Sequence, residues 1–485
     1  MADSIKKQMT VGIFFTAIAK YSNIFISLIV TAILARILSP EEFGIVAIAT
    51  VIIVFFNMLT EIGIGPAIVQ NKELNNDDLS NIFSFTIWFG LILTIIFVLL
   101  AKPIAIYYET PILEPISYYL SIAIFFNSSQ IVPNALIYKD KDFKFIAIRS
   151  FSIQFFAGII AVVSVFLGFG IYALLINPIL SSILLFIISY IKKPIKFKLY
   201  FDIKALKKIL SFSIYQFLFN LINYFSRNLD KLIIGKYLNN TMLGYYEKSY
   251  RLMMLPLQTI THVFSPVMHP IFSDYQNDFK KLSDSYLKIV KLLAYIGFPL
   301  SVLLFFTSKE LVLLIFGMKW ERSVSSFEIL SFSVAFQIIL STSGSIFQAS
   351  NSTKIMFLSG VLSTILTVVA ILVGVFYFKT IEAVSIGIMI AIIINFFQAY
   401  YLMYNIVFKS SIIKIIKCIF PPIVVTIILF MFLYGINYIT IELNMFISLS
   451  IKSIFSMLYV TFYLQFLKIY DIKRMIYKLI RRKSI

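Results

Sequence analysis

The chain has 485 residues, 60% hydrophobic and 13% charged, with mean hydropathy +0.93 and a formal net charge of +19. A soluble domain is nearer half apolar and a quarter charged, so water is excluded as the only solvent for this surface. The basic residues are dispersed between apolar runs, which fits membrane topology and not a nucleic-acid partner.

A helix needs about 20 apolar residues to cross the hydrocarbon core. Runs of that order are predicted near 11–38, 43–64, 81–101, 115–137, 149–168 and 170–191. A second set follows near 210–234, 241–272, 285–306, 325–350, 355–377 and 383–407, and two more near 414–436 and 443–467. The runs are continuous and too long for β-barrel strands, and lipid leaves helices as the other solution for backbone hydrogen bonding. The fold class is therefore an all-α integral membrane protein with about fourteen transmembrane helices. The first run has no small-residue cleavage site at a suitable distance and reads as a retained helix. Cys418 is the only cysteine, so no intrachain disulfide forms.

Alternate loops differ sharply in charge. With the N-terminus inside, segments such as 139–149, 192–208, 280–291 and 468–483 bring about 29 Lys and Arg to the cytoplasmic side, against about 7 outside. Both termini are thus expected in the cytoplasm.

A weak repeat recurs at an offset of 200 residues. Ala35-Arg36-Ile37-Leu38 is followed by Gly44, and Gly235-Lys236-Tyr237-Leu238 by Gly244. Gly65-Pro66 aligns with Ser265-Pro266. Both copies begin inside, which makes them parallel repeats. The expected organisation is two pseudo-symmetric six-helix bundles, 1–198 and 199–408, then two extra helices over 409–467 and a basic tail, 468–485.

Polar side chains inside spans are costly and should face a cavity or another helix. Helix seven carries Gln216, Asn220, Asn223, Arg227 and Lys231 at helical spacing. Helix one carries Thr16, Lys20, Asn23, Ser27 and Thr31 at the same spacing and the same offset. A shared polar cavity is the favoured reading; interhelical hydrogen bonding is the alternative. Shorter stripes occur at Asn127, Gln130 and Asn134 in helix four, and at Gln337, Ser341, Gly344 and Gln348 in helix ten. Asp230, Lys231, Glu247, Lys248 and Arg251 form a charged cluster with Arg227 near the outer ends of helices seven and eight. Lys20 and Arg227 are candidate contacts to an anionic substrate, since the arginine fork suits phosphate. Lys231, Lys248 and Arg251 also suit a structural ion-pair network. Glu61 and Asp230 are the acids to test for coupling to sodium or protons. His262 and His269 lack the companions a metal site needs, and no metal or other cofactor is expected. No nucleotide-binding loop or nucleophile elbow is present, so catalysis is not expected.

Several of these stretches resemble one family. ARILSPEEFG (Ala35 to Gly44), EIGIGPAIVQNK (Glu61 to Lys72), NLDKLIIG (Asn228 to Gly235) and GYYEKSYRLMMLP (Gly244 to Pro256) are similar to bacterial polysaccharide and oligosaccharide flippases. The resemblance is to the colanic-acid and teichuronic-acid exporter type, within the multidrug/oligosaccharidyl-lipid/polysaccharide exporter superfamily. It implies two six-helix bundles about a central cavity, alternating access, and a polyprenyl-diphosphate-linked oligosaccharide carried to the outer leaflet. It implies membrane lipid, a glycan polymerase and glycosyltransferases as further partners. Lys20 and Arg227 are the positions that fit its cationic cavity. The trailing helices of such proteins form a lipid-tail groove, which Lys452 and Tyr463 do not by themselves define. Competing readings are a multidrug or cation exporter, which needs an acidic aromatic cavity, and a cell-wall lipid-precursor flippase. A glycan polymerase or glycosyltransferase would need a large loop domain, and every loop here is short.

Overall fold

The computed structural model describes residues 2–61, 63–71, 73–200, 202, 206, 221, 224–225, 227–273 and 278–466. Within these, the chain is helical from end to end and splits into two compact units, 1–247 and 248–485. The unit boundary follows packing and falls inside one long helix, whereas the 198/199 boundary read from the sequence follows the duplication.

The first unit opens with α1 (Ala2–Ile37) and α2 (Pro40–Glu61). The turn between them is fixed locally. The Ser39 N–H donates to Glu42 Oε2 at 2.7 Å, and Glu42 N–H returns a bond to Ser39 Oγ at 3.3 Å. This reciprocal capping satisfies orphan donors at the start of α2. Gly63, at φ +73°, breaks α2 from the short α3 (Ile64–Gln70). A second capping pair, Asn75 with Asp78, starts α4 (Asn76–Tyr107). Helices α5 (Leu113–Ser129) and α6 (Ile131–Lys139) form one span bent by 41°. Pro133 explains that bend: its ring has no N–H for the Ser129 carbonyl, the residue at which α5 ends. Helices α7 (Phe143–Phe166) and α8 (Ala173–Lys192) complete the set, with α7 packed on α1 and α8. The segment after α8 is strapped back onto α4, where Lys198 N–H donates to Ser84 Oγ at 2.8 Å and Trp88 Nε1 to the Leu199 carbonyl.

The helix 227–237, here α9, and the start of α10 (Asn240–Ser273) also belong to the first unit. They approach α2 backbone to backbone. A Cβ on Gly44 would lie 1.7 Å from the Asn240 carbonyl oxygen, and one on Gly244 would lie 1.9 Å from that of Pro40. The two glycines are 200 residues apart, and so are the two residues, Pro40 and Asn240, whose carbonyl oxygens they meet. The contact is reciprocal, as a two-fold relation between duplicated helices requires.

The second unit holds α11 (Phe279–Phe306), α12 (Ser308–Phe316), α13 (Ser323–Ser331), α14 (Val334–Leu340) and α15 (Ser343–Ala349). The span made by α13 to α15 is bent by 50°, so both fourth helices of the proposed repeats are broken. No proline sits at this second break. Ser331 and Ser333 instead return their hydroxyls to the Glu328 and Leu330 carbonyls at 2.6 Å, occupying acceptors that helix continuation would use. Helices α16 (Thr353–Leu372), α17 (Ile381–Tyr401), α18 (Ile413–Thr440) and α19 (Met445–Phe466) follow.

Among the described residues, ten helices are long and apolar enough to cross a membrane, and up to twelve when each bent pair is one span. The remaining two of the fourteen expected spans are the charged ones. Helix seven lies mostly outside the described residues, and α10 carries Glu247, Lys248 and Arg251. Side chains such as Leu99 (70% exposed), Phe166 (71%) and Ile191 (74%) project outward. Apolar exposure on this scale requires lipid as the surrounding medium. The chain is a multi-pass membrane protein.

The glycine contact makes a direct prediction. Gly44→Ala or Gly244→Ala overpacks a backbone-to-backbone approach, at a cost of about 1–3 kcal/mol. Each lowers the apparent melting temperature in detergent. Ala at Gly344 or Gly435, which have open space around them, leaves it unchanged.

Candidate functional site

The polar face of α1 lies in the first unit. Lys20 is half-buried, and among the described residues it has no hydrogen-bond or ion-pair partner. One turn on, Asn23 Oδ1 is buried without a donor, and so is Asn57 Oδ1 on α2. Ser27 is half-buried and Thr31 buried. Buried amide oxygens are almost always paired, so unpaired ones mark places that water or a bound group fills.

On α9, Arg227 is exposed and forms no ion pair among the described residues. Asp230, one turn further, is buried at 4% exposure. Its Oδ2 accepts the Tyr246 hydroxyl at 2.6 Å, and its Oδ1 accepts the Lys231 N–H at 2.8 Å. The acid is thus tied to α10 by a neutral donor. Gln216, Asn220 and Asn223 lie outside the described residues.

The charged cluster divides between the units. Glu247 is half-buried and ends the first. Lys248 belongs to the second and is buried at 1% exposure, its ammonium 5.5 Å from the Trp320 ring and 5.8 Å from that of Phe316. Aromatic faces at this range stabilise a desolvated cation. Arg251 is half-buried in the second unit, and Glu61 is exposed at the end of α2. At the far end of α4, Lys236 binds Glu109 at 2.8 Å and lies over the Tyr107 ring. The Lys236 ammonium holds the Glu109 carboxyl below its usual range.

The shorter stripes coincide with the helix breaks. Gln130 caps the α5–α6 bend, and its Oε1 is buried and unpaired. Gln337 Nε2 bonds Ser333 Oγ at 2.9 Å beside the α13–α14 break. Asn134 is taken by Arg149, whose Nη2 donates to it at 2.8 Å while Nη1 donates to Ser189 Oγ at 2.7 Å. Arg149 is buried and ties α6, α7 and α8 together. The sequence places it only among the cytoplasmic basic residues; Asn134, fifteen residues earlier, is the local signal that it turns inward. Glu310 and Lys452, buried in the second unit, were equally invisible as a pair.

An apolar helical body with broken fourth spans and unpaired cations on polar helix faces is the architecture of a polytopic flippase or exporter. The fold matches the lipid II flippase MurJ in an inward closed conformation, with TM-score 0.77 and 19% identity, covering 94% of this chain and 98% of that one. It also matches an inward-facing multidrug resistance MATE transporter, with TM-score 0.58 and 14% identity, covering 81% and 96%. Residues 33–325 match the family "Polysaccharide biosynthesis protein", and the chain belongs to that family. Among relatives, the lipopolysaccharide biosynthesis protein WzxC of Escherichia coli (strain K12) is 26% identical, covering 84% of this chain and 83% of its own. The teichuronic acid biosynthesis protein TuaB of Bacillus subtilis (strain 168) is 25% identical, covering 74% and 75%. A membrane protein in the cps region of Klebsiella pneumoniae is 26% identical over 85% of each chain.

Water access to the two cations is measurable. Lys20→Cys and Arg227→Cys, each in a Cys418→Ser background, are expected to react with a membrane-impermeant thiol reagent in inverted or right-side-out vesicles. A cysteine at Leu99, on the apolar surface, is expected not to react.

Proposed function

We propose that this protein is a flippase that carries polyprenyl-diphosphate-linked oligosaccharide repeat units from the cytoplasmic to the outer leaflet by alternating access. The observation that carries the reading is the pair of cations, Lys20 and Arg227, that have no carboxylate partner among the described residues and lie on helices of a membrane protein. A charge at mid-bilayer costs about 2.5–3.5 kcal/mol even on insertion scales, a cost that bears on Lys20 in the middle of helix one more than on Arg227 near an outer end. Such a cost is retained where the charge meets an anion during function, and a diphosphate supplies that anion with acceptors suited to Arg. The family and the relatives' names, which speak of lipopolysaccharide and teichuronic acid synthesis, support a glycan-bearing substrate.

The rest of the mechanism follows from the chemistry of that head group. Asn23, Ser27 and the helix-seven residues Gln216, Asn220 and Asn223 replace its hydration with hydrogen bonds, while the polyprenyl tail stays in lipid. The bundles 1–198 and 199–408 open in turn to the two sides of the membrane. The Gly44–Asn240 and Gly244–Pro40 contacts, at the ends that the charge pattern assigns to the outside, form the outer closure. Asp230, joined to Tyr246, is the acid best suited to couple transport to sodium or a proton; Glu61 is the second. The protein lies in the bacterial inner membrane with both termini in the cytoplasm, and it receives substrate from glycosyltransferases and passes it to a polymerase.

Proteoliposomes loaded with fluorescent lipid-linked glycan test this. The wild type is expected to move the label between leaflets without chemical change. Arg227→Ala, at normal protein level, is expected to slow that movement at least tenfold, which corresponds to about 1.4 kcal/mol. Movement of lipid II alone would favour a cell-wall precursor flippase. Efflux of cationic dyes alone would favour a drug exporter.

A further inference from the structure

The trailing helices α18 and α19 lie outside the duplication, and lipid tails are as apolar as their surfaces. Burying their leucines and phenylalanines against α11 therefore gains little hydrophobic free energy, and specific packing and polar contacts must hold them. One buried cluster meets that need. Lys452 on α19 is buried at 2% exposure and forms an ion pair with Glu310 at the start of α12. The same ammonium donates to the Phe306 carbonyl at 2.9 Å and to Asn437 Oδ1 on α18 at 2.7 Å. Ser448, one turn before Lys452, donates to Glu310 Oε1 at 2.7 Å.

All three donor positions of the ammonium are used, and each goes to a different helix. The Phe306 carbonyl is one of the four that end α11 without an intrahelical partner. Glu310 sits in the first turn of α12, where the helix dipole favours a carboxylate. Rings continue the seam away from the charge: Phe306 and Phe430 have centroids 4.8 Å apart, and Tyr459 donates to the Val425 carbonyl at 3.0 Å.

We propose that Lys452 is a positioning residue that makes α18 and α19 one rigid body with α11 and α12 throughout the transport cycle. The two trailing helices are then a fixed wall, and the movements of transport occur elsewhere. This rests on the flippase reading for its transport arm only.

Two experiments test it. In a Cys418→Ser background, Phe306→Cys and Phe430→Cys are bridged by a short bis-thiol linker. Glycan-lipid translocation in proteoliposomes is expected to stay within twofold of the unbridged double-cysteine protein. Loss of translocation on bridging, regained when the linker is cleaved, overturns the proposal. Second, Lys452→Met leaves Glu310 buried without its cation and is expected to reduce bridging yield and membrane accumulation severalfold. Lys452→Met with Glu310→Met removes both charges and is expected to restore bridging and translocation together. Restored accumulation without restored translocation would give Lys452 a direct transport role and contradict the positioning assignment. If the unmodified protein moves no lipid-linked glycan, the flippase reading fails, while the bridging yields still decide whether Lys452 docks the helices.

Discussion

The interaction on which this structure depends is the one between charge and hydrocarbon. Lipid offers backbone polar groups no partner, so most are satisfied within helices, which fixes the secondary structure before any side chain is considered. Charges receive no such help. Among the described residues, several buried cations are matched inside the body. Lys452 is matched by Glu310, the α11 terminus and Asn437. Lys248 is matched by two aromatic faces, and Arg149 by Asn134 and Ser189. Lys20 and Arg227 are the contrast. The matched cations hold helices together; Lys20 and Arg227 have no such partner among the described residues.

The same division separates what the sequence reveals from what it hides. Spans are legible because hydropathy over about 20 residues is a local property. The stripe at Lys20, Asn23 and Ser27 is legible because 3.6-residue periodicity is local too. The α5–α6 bend is legible in retrospect from Pro133. The bend between α13 and α14 is not, because serine hydroxyls turning back on Leu330 and Glu328 carbonyls leave no proline or glycine to mark it. Ion pairs across distant helices are the least legible of all. Glu310 and Lys452 are 142 residues apart, and each looks by itself like an ordinary residue near a helix end. The stripe at Asn134 shows the same limit: its polarity and spacing are local, but its partner, Arg149, looks in the sequence like one of the cytoplasmic basic residues.

The offset of 200 residues links sequence and packing most directly. Gly44 and Gly244 are needed for a physical reason, since each lies against a carbonyl oxygen at a distance that no side chain tolerates. The symmetry is nevertheless incomplete. Asp230 and Tyr246 correspond to Val30 and Val46 in the first copy, so the carboxylate–phenol pair exists on one side only. The close-packed glycines recur in both copies, whereas the acid and its phenol partner stand in one.

The central claim is that the unmatched cations recognise a lipid diphosphate. Native mass spectrometry of the protein with undecaprenyl diphosphate, undecaprenyl monophosphate and neutral polyprenol measures this directly. The account predicts that the diphosphate is preferred over the neutral lipid by at least about tenfold, or 1.4 kcal/mol. It also predicts that Lys20→Met with Arg227→Met abolishes that preference while neutral-lipid binding persists. An unchanged preference in the doubly neutralised protein would contradict it.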